Sequence, residues 1–301
     1  MANTKIEWAT QVWNPVTGCS KISEGCANCY AEPFAKRLQN HPNFDIKYKY
    51  RDGFKPTTHP EVLNQPYEWK KPQRVFVCQM GDLFHDDVPN DFLIRVWSVM
   101  VNNPIHTFLL LTKRPENALK FYNLYTESWR SNNIWIGVTA ENQREADKRI
   151  PILLQIPAAI RFVSVEPMLS EIDIKPYINA LDWVICGGET GRKARPLHPS
   201  WVRSLRDRCY VAQVPFFFKQ WGEFDYSKGF AERVGKRQSG SMLDGKEWKQ
   251  FPDNSRQVAN KIITEMQSAG LTPDQMLKVI AMARQKYNQL KTTNKTENIC
   301  Q

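Results

Sequence analysis

The sequence contains no apolar run close to the roughly 20 residues that a membrane-spanning helix needs. Its N-terminus lacks the apolar stretch of a secretory signal peptide, and no internal repeat or low-complexity block is present. These absences predict a cytoplasmic, folded protein with no membrane partner. In such a compartment, cysteines more often bind metals or act in catalysis than form structural disulfides.

Two common site motifs are also missing. The glycine-rich residues 187–191 are not followed by the Gly-Lys-Ser/Thr of a P-loop, which excludes that class of nucleotide-binding enzyme. No second C-x2-C or H-x3-5-H pair accompanies the cysteines of the N-terminal region, as a common structural zinc site would require.

The composition is that of a folded protein with an excess of positive charge. Hydrophobic residues make up 42% and charged residues 24%, which excludes a disordered chain. The 41 Lys and Arg residues against 31 Asp and Glu residues give a net charge of +10. A charge of this sign suggests a polyanionic partner.

Short apolar runs alternate with helical stretches along most of the chain. Strands are predicted at residues 6–12, 74–79, 106–111, 133–138, 161–165, 183–186 and 214–218. Continuous apolar strands of this kind are typical of parallel sheets buried on both faces. The pattern predicts an α/β fold, a partial or closed (β/α) barrel, with a doubly wound open sheet as the alternative.

The domain boundaries follow from where this alternation stops. The predicted barrel covers residues 1–222, and a loop and hairpin extension covers residues 223–255, with its turn at Asp244-Gly245. Residues 256–301 are predicted to form a helical pair and a frayed tail, the second helix opening with a capping box at Thr272 and Gln275.

Three cysteines form the sharpest cluster in the sequence. Cys19, Cys26 and Cys29 have the spacing C-x6-C-x2-C, in the loop predicted after the first strand. Three thiolates so close in sequence can converge on one metal centre, and barrel enzymes carry their chemistry at this end of the strands. An iron–sulfur cluster is favoured, and a zinc-stabilised nucleic-acid-binding protein is the alternative.

A carboxylate follows almost every predicted strand. These acids are Asp82, Glu141, Glu166, Glu189 and Glu223. In a barrel they would all lie on the face that carries the loop with Cys19, Cys26 and Cys29 (the cysteine loop). We expect Asp82, Glu141, Glu166 and Glu189 to contribute to a cofactor site, while helix capping and a divalent-metal site of a hydrolase are the alternatives for these acids.

Basic residues are predicted at the same face. Lys113 and Arg114 precede a helix that begins with proline, and Arg192, Lys193 and Arg195 follow the sixth strand. Cations beside the positive end of a helix suit phosphate, so these residues are predicted to bind a nucleotide, DNA or RNA substrate. The alternative for the second group is a solvated helix face.

The cysteine loop resembles that of the radical S-adenosylmethionine (radical SAM) superfamily. More closely, the chain resembles a phage-associated three-Cys-motif family in several short motifs. These motifs are Trp13-Asn14-Pro15-Val16-Thr17-Gly18-Cys19, Cys29-Tyr30-Ala31-Glu32, Gly81-Asp82-Leu83-Phe84, Leu111-Thr112-Lys113-Arg114-Pro115, Gly187-Gly188-Glu189 and Lys219-Gln220-Trp221-Gly222-Glu223. The superfamily's usual spacing is C-x3-C-x2-C, so the first gap is longer here.

The resemblance implies an enzyme with two cofactors. The three cysteines would hold a [4Fe–4S] cluster whose open iron binds SAM, and an electron donor would allow a 5′-deoxyadenosyl radical to form. That radical would modify or repair a nucleotide or a nucleic-acid base. The resemblance also implies a partner protein encoded beside this one.

The resemblance further implies roles for individual residues in the SAM site. Gly81 and Asp82 would lie near the methionyl amine, and Glu166 or Glu189 would bind the ribose hydroxyls. The superfamily places an aromatic residue near the adenine, just before the third cysteine. Asn28 occupies that position here, and Tyr30, on the other side of the cysteine, is predicted to contribute to the cofactor site.

Overall fold

The computed structural model describes residues 4, 6–125, 131–253, 266, 268–279 and 282. The chain divides into two compact units, residues 1–252 and residues 253–301, each described by itself. The strands of the first unit are β1 (Gln11–Trp13), β2 (Val16–Thr17), β3 (Thr57–Thr58), β4 (Arg74–Val77), β5 (Thr107–Thr112), β6 (Ile134–Thr139), β7 (Ile160–Val165), β8 (Trp183–Cys186), β9 (Phe216–Phe218), β10 (Phe224–Asp225), β11 (Glu232–Arg233), β12 (Met242–Leu243) and β13 (Lys246–Glu247).

Helices connect most of these strands. They are α1 (Ala31–Leu38), α2 (Phe44–Lys49), α3 (Gln65–Glu68), α4 (Asn90–Val101), α5 (Pro115–Tyr125), α6 (Gln143–Leu153), α7 (Pro199–Val211) and α8 (Lys236–Ser239). Helix α5 begins at Pro115, as the sequence predicted, because proline fits the first helical position. None of the described helices is long and apolar enough to cross a membrane.

Seven strands form one parallel sheet in the order β1-β4-β5-β6-β7-β8-β9. Each strand therefore lies beside the one that precedes it in this series, and the strand order runs in one direction across the sheet. A doubly wound sheet would reverse its strand order near the middle, so that alternative is wrong. Within the described residues β1 and β9 are the two edges of the sheet, and the fold is a partial (β/α) barrel.

The two faces of the sheet are both apolar but differ in their neighbours. Phe76, Leu109, Phe162 and Trp183 belong to an inner cluster, and the residues that alternate with them pack against the helices. Gly137 of β6 leaves room for the inner cluster, since a Cβ there would lie 2.4 Å from the Phe162 ring. The interior of the partial barrel is thus filled by aromatic side chains.

The first strand is shorter than predicted. Residues 6–10 lie outside β1, and Trp8 instead packs into the inner cluster with its ring centroid 4.6 Å from that of Phe76. A buried tryptophan that packs on a sheet gives the same apolar pattern as a strand residue, which explains the difference.

Residues 223–252 lie in the same compact unit as the partial barrel. The predicted hairpin is present as β12 and β13, and Asp244 and Gly245 have φ angles of 53° and 73° at its turn. Leu243 of this hairpin is fully buried, and the Trp221 indole N–H donates to Met242 O at 2.8 Å. The hairpin therefore packs against the end of β9.

Little of the second unit falls within the described residues. The predicted capping box is present there: the Thr272 N–H donates to Gln275 Oε1 at 2.8 Å, and the Gln275 N–H donates to Thr272 Oγ1 at 3.4 Å. Residues 273–279 are helical after it. The remainder of the predicted helical pair and tail lies outside the described residues.

Candidate active site

The cysteine loop leaves the sheet at a point where only glycine fits. Gly18 has a φ of +83°, and a Cβ there would lie 2.1 Å from Lys55 O. Gly81 forms a parallel bridge with Gly18, and a Cβ on Gly81 would lie 2.8 Å from Gly18 O. Gly81, predicted in the cofactor site, thus allows two turns to approach closely.

All three cysteines of the loop are free thiols. Burial and the charge of Asp82 raise the pKa of Cys19 to about 11, against the opposing effect of Arg114. Burial also acts against the thiolate of Cys26, but the charge of Lys113 and local hydrogen bonds outweigh it and lower the pKa of Cys26. The loop therefore contains two thiols with opposite tendencies to ionise.

The donor set of this loop fits an iron–sulfur cluster. Three free thiols on one loop are the ligand type that such clusters use. Across the part of the chain that the structure describes, no group of three His, Cys, Asp or Glu side chains lies close enough together to hold a metal ion. Binding one cluster therefore requires the three sulfurs to draw together.

Asp82 and Arg114 support the start of the loop. Asp82 is buried and accepts hydrogen bonds from Thr112 Oγ1 at 2.8 Å and from the Lys113 N–H at 3.1 Å. Arg114 donates from Nη1 to Cys19 Sγ at 3.4 Å and to Asp82 at 3.4 Å. Its Nη2 donates to Ser20 Oγ at 2.7 Å, so the guanidinium is engaged by protein groups.

Glu141 holds the middle of the loop. It is fully buried at the end of β6, where it forms an ion pair with Arg149 at 2.8 Å and accepts a hydrogen bond from the Gly25 N–H at 3.1 Å. Burial alone would raise its pKa, but the charges of Lys113 and Arg149 outweigh burial and lower the pKa of Glu141. The carboxylate is thus an ionised anchor for the loop.

Glu189 holds the end of the loop. The Asn28 amide donates to Glu189 Oε2 at 3.2 Å, and Arg195 Nη2 lies 2.7 Å from Glu189 Oε1. Arg195 also pairs with Glu24 at 3.0 Å, which places it between the sheet and the loop. Burial opposes ionisation of Glu189, but hydrogen bonds from Arg195 and Asn28 lower its pKa.

A cavity of about 420 Å³ lies inside the partial barrel at the carboxyl ends of the strands. Its charged lining residues are Lys113, Glu166, Lys219 and Lys236. Lys219 Nζ lies 2.7 Å from Glu166 Oε1. The predicted cofactor residue Glu166 therefore faces this cavity as half of an ion pair.

A smaller cavity of about 130 Å³ lies against the cysteine loop and is lined by Cys29. It shares Tyr30, Lys113, Glu166 and Thr190 with the larger cavity, so the two adjoin. The Tyr30 side chain is 49% exposed, but its hydroxyl donates to Gln79 O at 3.0 Å, and desolvation of this hydroxyl raises the pKa of Tyr30. Tyr30 thus lies between the cysteine loop and the barrel interior.

The structure brings some of the predicted site residues together and leaves others apart. Arg192 and Lys193 are exposed, and neither lines the two cavities. Glu223 accepts a hydrogen bond from the Gly191 N–H at 2.9 Å. The roles predicted for these residues toward a cofactor or substrate stay predictions.

Sequence reasoning gave no role to Lys219, Lys236 or Asn28. One signal was present for Lys219: it follows the inner-face residue Phe217 by two positions, and Lys113 follows Leu111 in the same way. No comparable signal marked Lys236 or Asn28, because each contacts the site from a loop or a short helix.

These features define a partial (β/α) barrel protein with a cysteine loop held over a charged internal cavity. The chain belongs to the family described as "Protein of unknown function (DUF5131)", whose model matches residues 3–252. No curated protein matches the chain.

Three solved structures are similar in fold. A cysteine-to-serine mutant of spore photoproduct lyase has a TM-score of 0.44 and 9% identity, with 70% of this chain and 75% of that chain covered. Spore photoproduct lyase complexed with dinucleoside spore photoproduct has a TM-score of 0.43 and 9% identity, with 69% and 62% covered. A double mutant of that lyase with bound AdoMet and dinucleoside spore photoproduct has a TM-score of 0.43 and 9% identity, with 69% of this chain and 62% of that chain covered.

Proposed function

We propose that this protein is an iron–sulfur enzyme of radical SAM type that modifies or repairs a nucleotide or a nucleic-acid base. The observation that carries the proposal is the position of the cysteine loop. It lies at the carboxyl ends of the parallel strands and borders the cavities inside the partial barrel. In barrel enzymes this end of the strands carries the reaction.

In this proposal Cys19, Cys26 and Cys29 hold a [4Fe–4S] cluster. Together with SAM and one electron from an external donor, such a cluster would supply radical chemistry: reductive cleavage of SAM to methionine and a 5′-deoxyadenosyl radical, which would take a hydrogen atom from the substrate. The other residues bind and orient. Glu141 and Glu189 fix the loop through the Gly25 N–H and the Asn28 amide, and Trp8 and Phe76 of the inner cluster line the larger cavity.

Positive charge supports a nucleotide or nucleic-acid substrate. Lys113, Lys219 and Lys236 line the larger cavity, and the exposed Arg192 and Lys193 belong to the same surface loop as Arg195. Exposed cations of this kind bind phosphate groups and release counterions, which favours DNA or RNA over an uncharged ligand.

The carboxylates that follow the strands argue against the alternative of a divalent-metal hydrolase. Glu141, Glu166 and Glu189 form ion pairs with Arg149, Lys219 and Arg195 at 2.7–2.8 Å. Carboxylates that bind a divalent cation offer their oxygens to the metal, whereas these oxygens already accept from cations. We therefore assign them a positioning role.

Anaerobic purification tests the proposal. We expect a brown protein with iron and sulfide, a reduced cluster whose electron paramagnetic resonance signal changes with SAM, and release of 5′-deoxyadenosine. Replacing all three cysteines of the loop by alanine should abolish iron binding, while Cys209→Ala in α7 should keep it, because Cys209 is a buried packing residue. A colourless protein with one zinc would contradict the proposal.

A further inference from the structure

The lining of the larger cavity inside the partial barrel has an excess of positive charge. Three lysines and one glutamate are its charged lining residues, so the lining has a net charge of two positive units. Two of the lysines and the glutamate are half-buried, and unbalanced charge in such a place is unfavourable without an anion. The lining is thus suited to a ligand with two negative charges.

The three ammonium groups come from three separate segments. Lys113 follows β5, Lys219 follows β9, and Lys236 begins α8. Only Lys219 has a carboxylate partner at hydrogen-bond distance among the described residues of this lining, namely Glu166 at 2.7 Å. Desolvation and the charge of Lys219 lower the pKa of Lys236, against the opposing charges of Glu166, Glu7 and Glu223. Lys236 forms no ion pair among the described residues, so it can bind an anion together with Lys219.

Part of the lining of the same cavity is apolar. Trp8, Phe76 and Leu111 line it, and the rings of Trp8 and Phe76 are 4.6 Å apart. A lining with both apolar and cationic side chains suits a molecule with a flat, weakly polar part and a charged end. The volume of about 420 Å³ is within the range of small-molecule pockets.

We propose that this cavity binds a nucleoside 5′-monophosphate, with Lys219 and Lys236 on the phosphate and with Trp8 and Phe76 against the sugar and base. A phosphate monoester carries close to two negative charges at neutral pH, which matches the lining. The nucleoside part rests on the proposed function, whereas the phosphate part rests on the lysines alone. Glu166 positions Lys219 through its ion pair.

Calorimetry with the full-length, anaerobically purified protein tests this site. The probes are the four deoxynucleoside 5′-monophosphates, the four matching deoxynucleosides, and inorganic phosphate. We expect at least one monophosphate to bind at least about tenfold more tightly than its nucleoside, because hydrogen bonds to charged groups are the stronger ones. Equal binding of monophosphate and nucleoside, or no binding of any probe, would overturn the proposal.

Two variants and one control identify the site. Lys236→Gln removes an exposed lysine and should fold normally, and it should weaken monophosphate binding by roughly tenfold without changing nucleoside binding. Lys219→Gln should weaken it further. Lys148→Gln, on the outer surface of α6, should have no effect. Unchanged monophosphate affinity in both cavity variants would place the anion elsewhere and overturn the proposal.

Two further outcomes have clear meanings. If inorganic phosphate binds as tightly as every nucleotide, the nucleoside part of the proposal is wrong. Iron content and 5′-deoxyadenosine release are measured on the same samples, so failure of the radical SAM function is seen separately from failure of the phosphate site.

Discussion

Glu141 Oε1 accepts a hydrogen bond from the backbone N–H of Gly25 at 3.1 Å, although the two residues are 116 positions apart in the sequence. The carboxylate also pairs with Arg149, which is itself 1% exposed. Glu141→Ala would leave a buried guanidinium with Glu145 as its remaining ionic partner. We expect this variant to lose about 3 kcal/mol of unfolding free energy, measured by urea denaturation.

Two comparisons separate this effect from a general loss of charge. Glu141→Gln keeps an acceptor for the Gly25 N–H and should lose less than Glu141→Ala. Glu116→Ala breaks an exposed ion pair with Lys148 and should cost less than about 1 kcal/mol. If Glu116→Ala were as destabilising as Glu141→Ala, the buried ion pair would have no special importance.

Asn28 connects the end of the cysteine loop to Glu189 and Lys193. Removing its side chain should increase hydrogen exchange in the loop. Its amide donates to Glu189 Oε2 at 3.2 Å and to Lys193 O at 2.9 Å. Asn28→Ala removes both bonds, worth about 1 kcal/mol each. Asn28→Asp also places a second carboxylate against Glu189, so hydrogen exchange in residues 19–30 should rise further. Exchange in α7 should be unchanged in both variants.

Stability should fall between pH 7 and pH 5 because of His59. This histidine is 1% exposed, and burial together with the charge of Lys49 lowers the pKa of His59 to about 4, against the opposing effect of Glu61. Arg51 also lowers it. The unfolded chain, with an ordinary value near 6.5, binds the proton first, so stability is present above that pH and is lost as pH falls toward 4.

The expected loss between pH 7 and pH 5 is about 2 kcal/mol from this group. Urea denaturation at the two pH values measures it. In His59→Gln the difference between the two pH values should shrink by that amount, while His41→Gln, at a half-buried position, should keep the wild-type difference. An unchanged pH dependence in His59→Gln would show that other groups cause it.

Exposed cations near the cysteine loop should affect nucleic-acid binding through salt. Arg192→Gln and Lys193→Gln should each weaken binding of single-stranded DNA and reduce the slope of log affinity against log salt by about 0.7. Lys148→Gln should leave the slope unchanged. Fluorescence anisotropy at several salt concentrations gives these slopes. A slope that is the same in all three variants would remove Arg192 and Lys193 from the interface.

The strands of the parallel sheet could be predicted from the sequence. The contacts of the carboxylates that follow those strands could not. Residues 183–186 were predicted as a strand and form β8, because a continuous apolar run between polar loops has few other solutions. Whether a carboxylate after a strand faces the cavity depends on partners far away in sequence. Glu166 faces it and meets Lys219, 53 positions later, while Glu141 turns toward Gly25.

The aromatic cluster inside the partial barrel is completed by residues from both ends of the first compact unit. Trp8 packs on Phe76, and Phe251 packs on Trp183 with a centroid distance of 5.4 Å. Glu7 and Lys249 join these two ends through an ion pair across 242 positions. During synthesis the aromatic cluster therefore stays incomplete until about residue 251 has left the ribosome. Packing of Phe251 on Trp183 is a late folding step, because it needs residues from both ends of the unit and not only local folding of the strands.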